Sequence, residues 1–337
     1  MRAIVLREVG PCDSLCLEDV AAPRPGHGEV VVRLQAAALN HRDVWIRKGQ
    51  YAGIRFPTIL GSDGAGTVES IGEGVEERWV GRSVVIDPGL GWGNDPRVQG
   101  PDFRVLGMPD DGTYAEMVRV PAANLHDRPA HLSAHEAAAL PLAGLTAYRA
   151  LVTRGRLVKG ETVLITGIGG GVAGFGLLIA KALGARVVVS SRSDRKLQQA
   201  AAMGADAGVN SSSPDWAKTA VQLSGGEGPD VVLDSVGGET FARALAIVRR
   251  GGRIVTLGAT TGAVERLELT RLFWKQLDLL GSTMGNATEF SAMLRLVETN
   301  AIHPPVSRIF PLAEASESHR YLESSEQFGK VVLDPTT

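Results

Sequence analysis

The chain has 337 residues, and at roughly 150 residues per domain that length predicts two domains. Its 35 lysines and arginines nearly balance 37 aspartates and glutamates, for a net charge of −2. Nucleic acids and anionic membranes select basic surfaces, so neither is expected as a partner. With 44% hydrophobic and 21% charged residues, the composition excludes global disorder, and a chain this long buries a core without disulfide or metal staples.

In chain order, the first third reads as β-rich. The apolar run 3–6 is too short for a signal-peptide core and leads to a turn at Val9-Gly10-Pro11. Cys12 and Cys16, the two cysteines of the chain, make neither a disulfide framework nor a four-cysteine zinc site. A reducing compartment, the cytoplasm, is the expectation. Residues 29–34, after the breaker-rich 23–28, read as a strand, and 64–71, 83–86 and 114–120 repeat the theme. That spacing predicts a partly closed β-barrel or sandwich. Residues 89–111, rich in Gly, Pro and Asp, read as a long surface loop.

After residue 126 the texture changes. A helix is predicted over 133–140, with Ser133 and Glu136 at capping-box spacing. Strand 161–166, helix 172–183, strand 186–190, helix 194–203, strand 231–234, helix 239–248 and strand 253–257 follow. This alternation predicts a parallel, doubly wound sheet with helices on both faces. A helix over 289–300 and a strand over 329–333 end the chain.

The strongest motif is Val163-Leu164-Ile165-Thr166-Gly167-Ile168-Gly169-Gly170-Gly171-Val172-Ala173-Gly174, running from a strand directly into a helix. Such a turn brings backbone N–H groups to a pyrophosphate at a helix N-terminus. Two registers are open. Gly169, Gly171 and Gly174 spell G-x-G-x-x-G, Gly167, Gly170 and Ala173 spell a looser form, and spacing does not choose between them. The βαβ context makes a bound dinucleotide the expectation. The uncharged stretch 163–180 reaches the lower edge of membrane-spanning length, but its glycine density suits a turn.

The next strand ends Val189-Ser190-Ser191-Arg192-Ser193-Asp194-Arg195-Lys196. An NAD site usually places an acid here for the ribose 2′-hydroxyl. Ser190, Ser191, Arg192 and Lys196 suit a 2′-phosphate instead, so NADPH is the expected cofactor. Asp194 is read as the cap of the following helix.

Several further stretches carry a resemblance. They are Ala38-Leu39-Asn40-His41-Arg42-Asp43, Leu60-Gly61-Ser62-Asp63-Gly64-Ala65-Gly66, Gly112-Thr113-Tyr114-Ala115-Glu116, Ala143-Gly144-Leu145-Thr146-Ala147-Tyr148, Asp234-Ser235-Val236-Gly237-Gly238 and Gly329-Lys330-Val331-Val332-Leu333. With the glycine turn, they resemble the medium-chain dehydrogenase/reductase superfamily, in its zinc-free quinone oxidoreductase-like branch, over nearly the whole chain. The resemblance implies an α/β protein. A Rossmann doubly wound parallel sheet (127–287) would join a GroES-like β-barrel catalytic domain (1–126 and 288–337), with the cofactor in the cleft between them. Beside Gly167, Gly169, Gly170, Gly171 and Val172, it implies cofactor contacts at Thr146, Asn210, Leu257, Gly258, Ala259 and Met284. The bland readings are a helix-packing threonine, a turn residue for Asn210 and a core filler for Met284.

The departures from the family pattern bear on chemistry. Zinc-dependent members hold a catalytic zinc with a cysteine, a histidine, an acid and a second cysteine. The matching positions here are Asn40, Ser62, Asp63 and Ala143, a poor zinc set. The structural-zinc lobe matches residues 87–107 and contains no cysteine. No metal is therefore expected, with His41 as the one residue that could rescue one. Alcohol oxidation needs a Lewis acid for the developing alkoxide, whereas conjugate hydride addition needs only hydrogen-bond donors at the carbonyl oxygen. Asn40 is the expected donor, Tyr51 a second donor and Trp45 an apolar wall. A buried structural amide and ordinary aromatic packing are the alternatives. Asp43 is expected to orient a neighbouring arginine.

The function these readings favour is an NADPH-dependent, zinc-independent oxidoreductase transferring hydride to a quinone or an α,β-unsaturated carbonyl. A metal-dependent alcohol dehydrogenase using His41 and Asp63, and a non-catalytic NADPH-binding protein, are the other two. An edge strand around 253–257, with 277–282 following, predicts a homodimer.

Overall fold

The computed structural model describes residues 1–264 and 266–337, and the chain divides into two compact units. One unit is Met1–Ala143 with Asn286–Thr337, and the other is Gly144–Gly285. The junction expected after residue 126 falls too early. The helix Ala134–Ala139, capped by Ser133 and Glu136 as predicted, packs on the strands Glu29–Ala38 and Asp63–Ile71 of the first unit. Local sequence announces a helix, but which sheet receives its alanine face is a tertiary matter. At the other junction Asn286 belongs with the helix it caps, Ala287–Thr299, its Oδ1 accepting the Glu289 N–H at 2.9 Å.

The first unit is built on the ten-residue strand Glu29–Ala38. Asp63–Ile71 pairs antiparallel along one edge of it, and Met117–Pro121 and Lys330–Asp334 share the other. Ser83–Ile86 and Leu125–Asp127 extend the sheet on one side, and Val306–Pro311 extends it on the other. Val30, Val32, Leu34, Val68, Val84, Ile86, Val118 and Val120 fill one core of this unit. The predicted loop 89–111 carries only the two-residue pair Gly89–Leu90 and Arg104–Val105. It closes on itself through Trp92, whose ring meets Phe103 edge-on at 5.2 Å and whose Nε1 donates to Asp95 O.

Among its described residues the second unit holds six parallel strands, in chain order Thr162–Ile165, Arg186–Ser191, Ala207–Asn210, Val231–Asp234, Arg253–Thr256 and Asp278–Gly281. Their order across the sheet is third, second, first, fourth, fifth, sixth. This is the doubly wound arrangement, in which ligands lie beyond the strand C-termini where the order reverses. The reversal lies between Thr162–Ile165 and Val231–Asp234. The predicted edge strand 253–257 is interior, because Asp278–Gly281 pairs outside it. Among the described residues, no helix is long and apolar enough to cross a membrane.

Candidate active site

In the second unit the glycine turn links strand Thr162–Ile165 to helix Gly171–Ala182, with Gly170 as N-cap. Gly167 and Gly169 have φ of +66° and +122°, a backbone that L side chains avoid. A Cβ on Gly169 would stand 2.6 Å from Lys196 Cδ, so the lysine stem lies across the turn. Close helix-to-strand packing falls on Gly176, where a Cβ would come within 2.6 Å of Leu233 Cδ2. Neither predicted register includes that residue. At the reversal, Thr166 Oγ1 donates to Asp234 Oδ1 at 2.6 Å, and Asp234 Oδ2 accepts the Gly237 N–H at 3.0 Å. This ties the glycine turn to the neighbouring strand end.

Ser190 is buried and its carbonyl accepts the Ile168 N–H, so it braces the turn. Ser191 Oγ accepts the Ser193 N–H at 3.2 Å. The cap of helix Asp194–Ala202 is Ser193, not Asp194, which accepts from Asn210 Nδ2 at 2.7 Å. A serine in extended backbone just before the first helical residue outcompetes an aspartate already inside the helix. Arg192, Arg195 and Lys196 crowd this strand end. Burial first, and then the two arginine charges, hold the Lys196 pKa below the ordinary lysine value. The structure brings Thr146 and Met284 together, with Oγ1 4.0 Å from Sδ, and Met284 has φ +47°. Leu257, Gly258 and Ala259 follow the fifth strand, the Leu257 N–H donating to Asp234 O.

In the first unit, register assembles the other cluster. Ala38 pairs with Asp63 on one side and with Val332 on the other. The end of one strand and the starts of its two neighbours therefore meet, which puts Asn40, Asp63 and Lys330 side by side. Lys330 Nζ donates to Asn40 Oδ1 at 2.6 Å and to Asp63 Oδ2 at 2.8 Å. Asn40 Nδ2 donates to Asp63 Oδ2 at 2.9 Å, and Asp63 Oδ1 accepts the Leu142 N–H at 2.8 Å. Asn40, Asp63 and Lys330 are all buried, with relative exposures of 8%, 0% and 3%.

Helix His41–Arg47, absent from the predicted elements, carries the surrounding groups. Among the described residues Asp43 makes no hydrogen bond to an arginine, although the Arg42 charge acts on it. It closes this helix by accepting the Asn40 N–H at 2.8 Å and takes the Tyr114 hydroxyl at 2.9 Å. Arg42 instead donates to Ser62 Oγ at 2.7 Å and Leu106 O at 2.9 Å, and its guanidinium lies 5.2 Å from the Tyr51 ring centre. The Trp45 ring lies 6.2 Å from that of His41. His41 is solvent-accessible yet crowded, and desolvation followed by the Lys330 charge holds its pKa below the ordinary histidine value.

This donor set does not fit a zinc ion. Both Asp63 oxygens are engaged, the ammonium of Lys330 sits against Asn40 and Asp63, and the Arg42 guanidinium sits against Ser62. Zinc sites need thiolates, imidazoles and carboxylates free to ligate. Among the described residues no group of three His, Cys, Asp or Glu side chains could hold a metal. Lys330 and Arg42 were missed as site residues by sequence reasoning. A lysine opening the otherwise apolar run Val331-Val332-Leu333 was the available signal.

Two family models match the chain, the zinc-binding dehydrogenase model over residues 171–299 and the alcohol dehydrogenase GroES-like domain over 26–130. The zinc-type alcohol dehydrogenase-like protein YogA of Leptosphaeria maculans is 37% identical, over 95% of this chain and 94% of its own. Crotonyl-CoA reductase of Streptomyces avermitilis is 30% identical over 96% of this chain and 83% of its own. A crystal structure of an NAD-dependent alcohol dehydrogenase matches with a TM-score of 0.95 at 43% identity, covering 99% of both chains. Relatives also include the acryloyl-CoA reductase of Sulfurisphaera tokodaii, at 29% identity, and a mycobacterial quinone oxidoreductase structure, at 30%. Identity at this level along nearly the full length, on a GroES-like unit and a Rossmann sheet, makes the chain a member of the medium-chain dehydrogenase/reductase superfamily of nicotinamide-dependent oxidoreductases.

Proposed function

We propose that this protein is an NADPH-dependent, zinc-independent reductase of α,β-unsaturated carbonyls, with quinones as the related acceptors. The observation that carries the reading is the Lys330–Asn40–Asp63 cluster, in which Asn40 and Asp63, matched by the resemblance to metal-binding positions of zinc-dependent members, are instead bonded to each other and to a lysine. Hydride adds to the β-carbon, the C=C electron pair moves toward the carbonyl oxygen, and the enolate then takes a proton from solvent water at its α-carbon. Charge gathering on that oxygen needs hydrogen-bond donors placed in advance, and Asn40 is such a donor. Bound NADPH supplies the hydride. Arg192 and Lys196 would hold its 2′-phosphate, Gly167, Gly169, Gly170, Gly171 and Val172 its pyrophosphate, and Thr146, Asn210, Leu257, Gly258, Ala259 and Met284 would complete the site. Trp45 and Tyr51 shape the acceptor side. Two relatives named for crotonyl-CoA and acryloyl-CoA, both conjugated thioesters, favour the enone class over quinones.

A second reading, alcohol oxidation with NAD, is favoured by the likeness to the NAD-dependent alcohol dehydrogenase structure. Chelator-treated protein supplied with NADPH or NADH, and with crotonyl-CoA, a simple enone, a simple quinone or a primary alcohol with NAD, separates the two. Chelator-resistant NADPH oxidation with the enone or thioester supports the proposal. Activity appearing only with added metal and alcohol overturns it, and tight NADPH binding with no turnover points to a non-catalytic role. We also propose a homodimer. Leu269, Phe273 and Trp274, 61%, 61% and 69% exposed, lie on a short helix leading to the outermost strand, Asp278–Gly281. An open strand edge beside exposed aromatic surface is what association covers. A cytoplasmic setting suits the unpaired Cys12 and Cys16.

A further inference from the structure

We infer that Lys330 and Asp63 act as a clamp on the Asn40 side-chain amide, fixing which way it faces and leaving one N–H as the donor to the acceptor's carbonyl oxygen. This deepens the proposed function and rests on it. An ammonium group only donates and a carboxylate only accepts, whereas an amide has a distinct oxygen and nitrogen. Lys330 Nζ lies 2.6 Å from Oδ1, and Asp63 Oδ2 lies 2.9 Å from Nδ2. A flipped amide would set N–H against ammonium and oxygen against carboxylate, two repulsive contacts in place of two attractive ones. The orientation is therefore dictated by charge and does not depend on telling nitrogen from oxygen by shape.

The count then closes on one hydrogen. Of the two Nδ2 hydrogens, one is given to Asp63, and the other has no partner among the described residues. Asn40 keeps 8% of its surface exposed, against 0% for Asp63 and 3% for Lys330. Lys330 also polarises the amide, since a cation at the oxygen draws charge from nitrogen and strengthens the remaining N–H as a donor. The same ammonium secures the Asp63 carboxylate, whose other oxygen is anchored by the Leu142 N–H at 2.8 Å. Lys330 is thus a positioning residue that acts through Asn40.

Removing one charge alone would strand the other in the interior, so the test removes both. The variant is Asp63→Asn with Lys330→Met, made in the full chain and again in an Asn40→Ala background. Turnover of NADPH with a simple enone is read as kcat and KM, beside NADPH affinity and the melting temperature. The paired change is expected to lower kcat about 10- to 100-fold, less than the roughly 100- to 1,000-fold for outright loss of a preorganised donor because the amide is loosened and not removed, with NADPH affinity unchanged. In the Asn40→Ala background it should change kcat less than about twofold, because the group it acts through is gone. An undiminished kcat, or an equal loss in both backgrounds, would overturn the clamp. A second readout needs no turnover. The Asn40 side-chain NH2 pair in a nitrogen-15 NMR spectrum, assigned by its loss in Asn40→Ala, should show one hydrogen-bonded and one free proton, and the paired change should collapse that difference. An unclamped pair in the native protein sinks the inference, whereas a clamped pair in a protein that reduces no enone or quinone sinks only the proposed function.

Discussion

His319 should make this protein sensitive to acid, and replacing it should remove a defined part of that sensitivity. The residue lies on helix Ala315–Glu323 with 0% exposure, and neither ring nitrogen has a partner among the described residues. Its ring meets Tyr114 edge-on at 6.0 Å. Burial, aided by the Arg47 and Lys48 charges and opposed by Glu323, pushes its pKa from 6.5 down to about 3. Between those values the unfolded chain binds a proton that the folded chain refuses. The contribution is therefore fully present above pH 6.5 and lost as pH falls toward 3. Lowering the pH from 8 to 5 should cost about 2 kcal/mol through this residue alone, rising to about 5 kcal/mol near pH 3, at about 1.4 kcal/mol per pH unit. The His319→Phe variant keeps an aromatic ring against Tyr114 and has no proton to take up. Urea unfolding of both proteins at pH 8 and pH 5, followed by near-ultraviolet circular dichroism, gives the difference of differences. A stability gap between variant and native protein that stays constant with pH would refute the reasoning, whatever its size at pH 8.

Asp87 should behave in the opposite sense. Burial raises its pKa from 3.8 to about 7 against the Gly89 N–H bond that lowers it, so stability is lost as pH rises from 3.8 to 7. Asp87→Asn should add up to about 4 kcal/mol at pH 8 and nothing near pH 4, read by the same unfolding curves. The Arg192→Ala variant should raise the KM for NADPH about 10- to 30-fold while leaving that for NADH within about twofold, as expected for losing a charge-assisted contact to phosphate. Equal effects on both cofactors would remove the case for the 2′-phosphate. Trp274→Glu should convert a dimer into a monomer in sedimentation velocity. A native protein that already sediments as a monomer would end the dimer proposal.

Much of the alternation in the second unit was legible because each such element is a local pattern closed by its own turn, but the strand Ala207–Asn210 and the helices Trp216–Leu223 and Leu269–Trp274 were not read. The glycine turn, Ser133–Glu136 and the strand-end cations were readable for the same reason. Spacing did not show that Gly176, outside both registers, is a glycine at which helix and strand approach closely. That contact is made with Leu233, far along the chain. Nor did it show that Ser193 rather than Asp194 caps the helix, since adjacent residues with equal capping chemistry are separated only by backbone conformation.

Sequence alone determined the two-unit α/β character and the glycine turn between strand and helix, because these depend on which residues stand at which spacing. Tertiary structure decided what Asn40 meets. Lys330 lies 290 residues from Asn40, and the two meet only because the last strand pairs beside the strand that ends at Ala38. Antiparallel register sets that meeting, and register is a property of the assembled sheet that no local pattern contains.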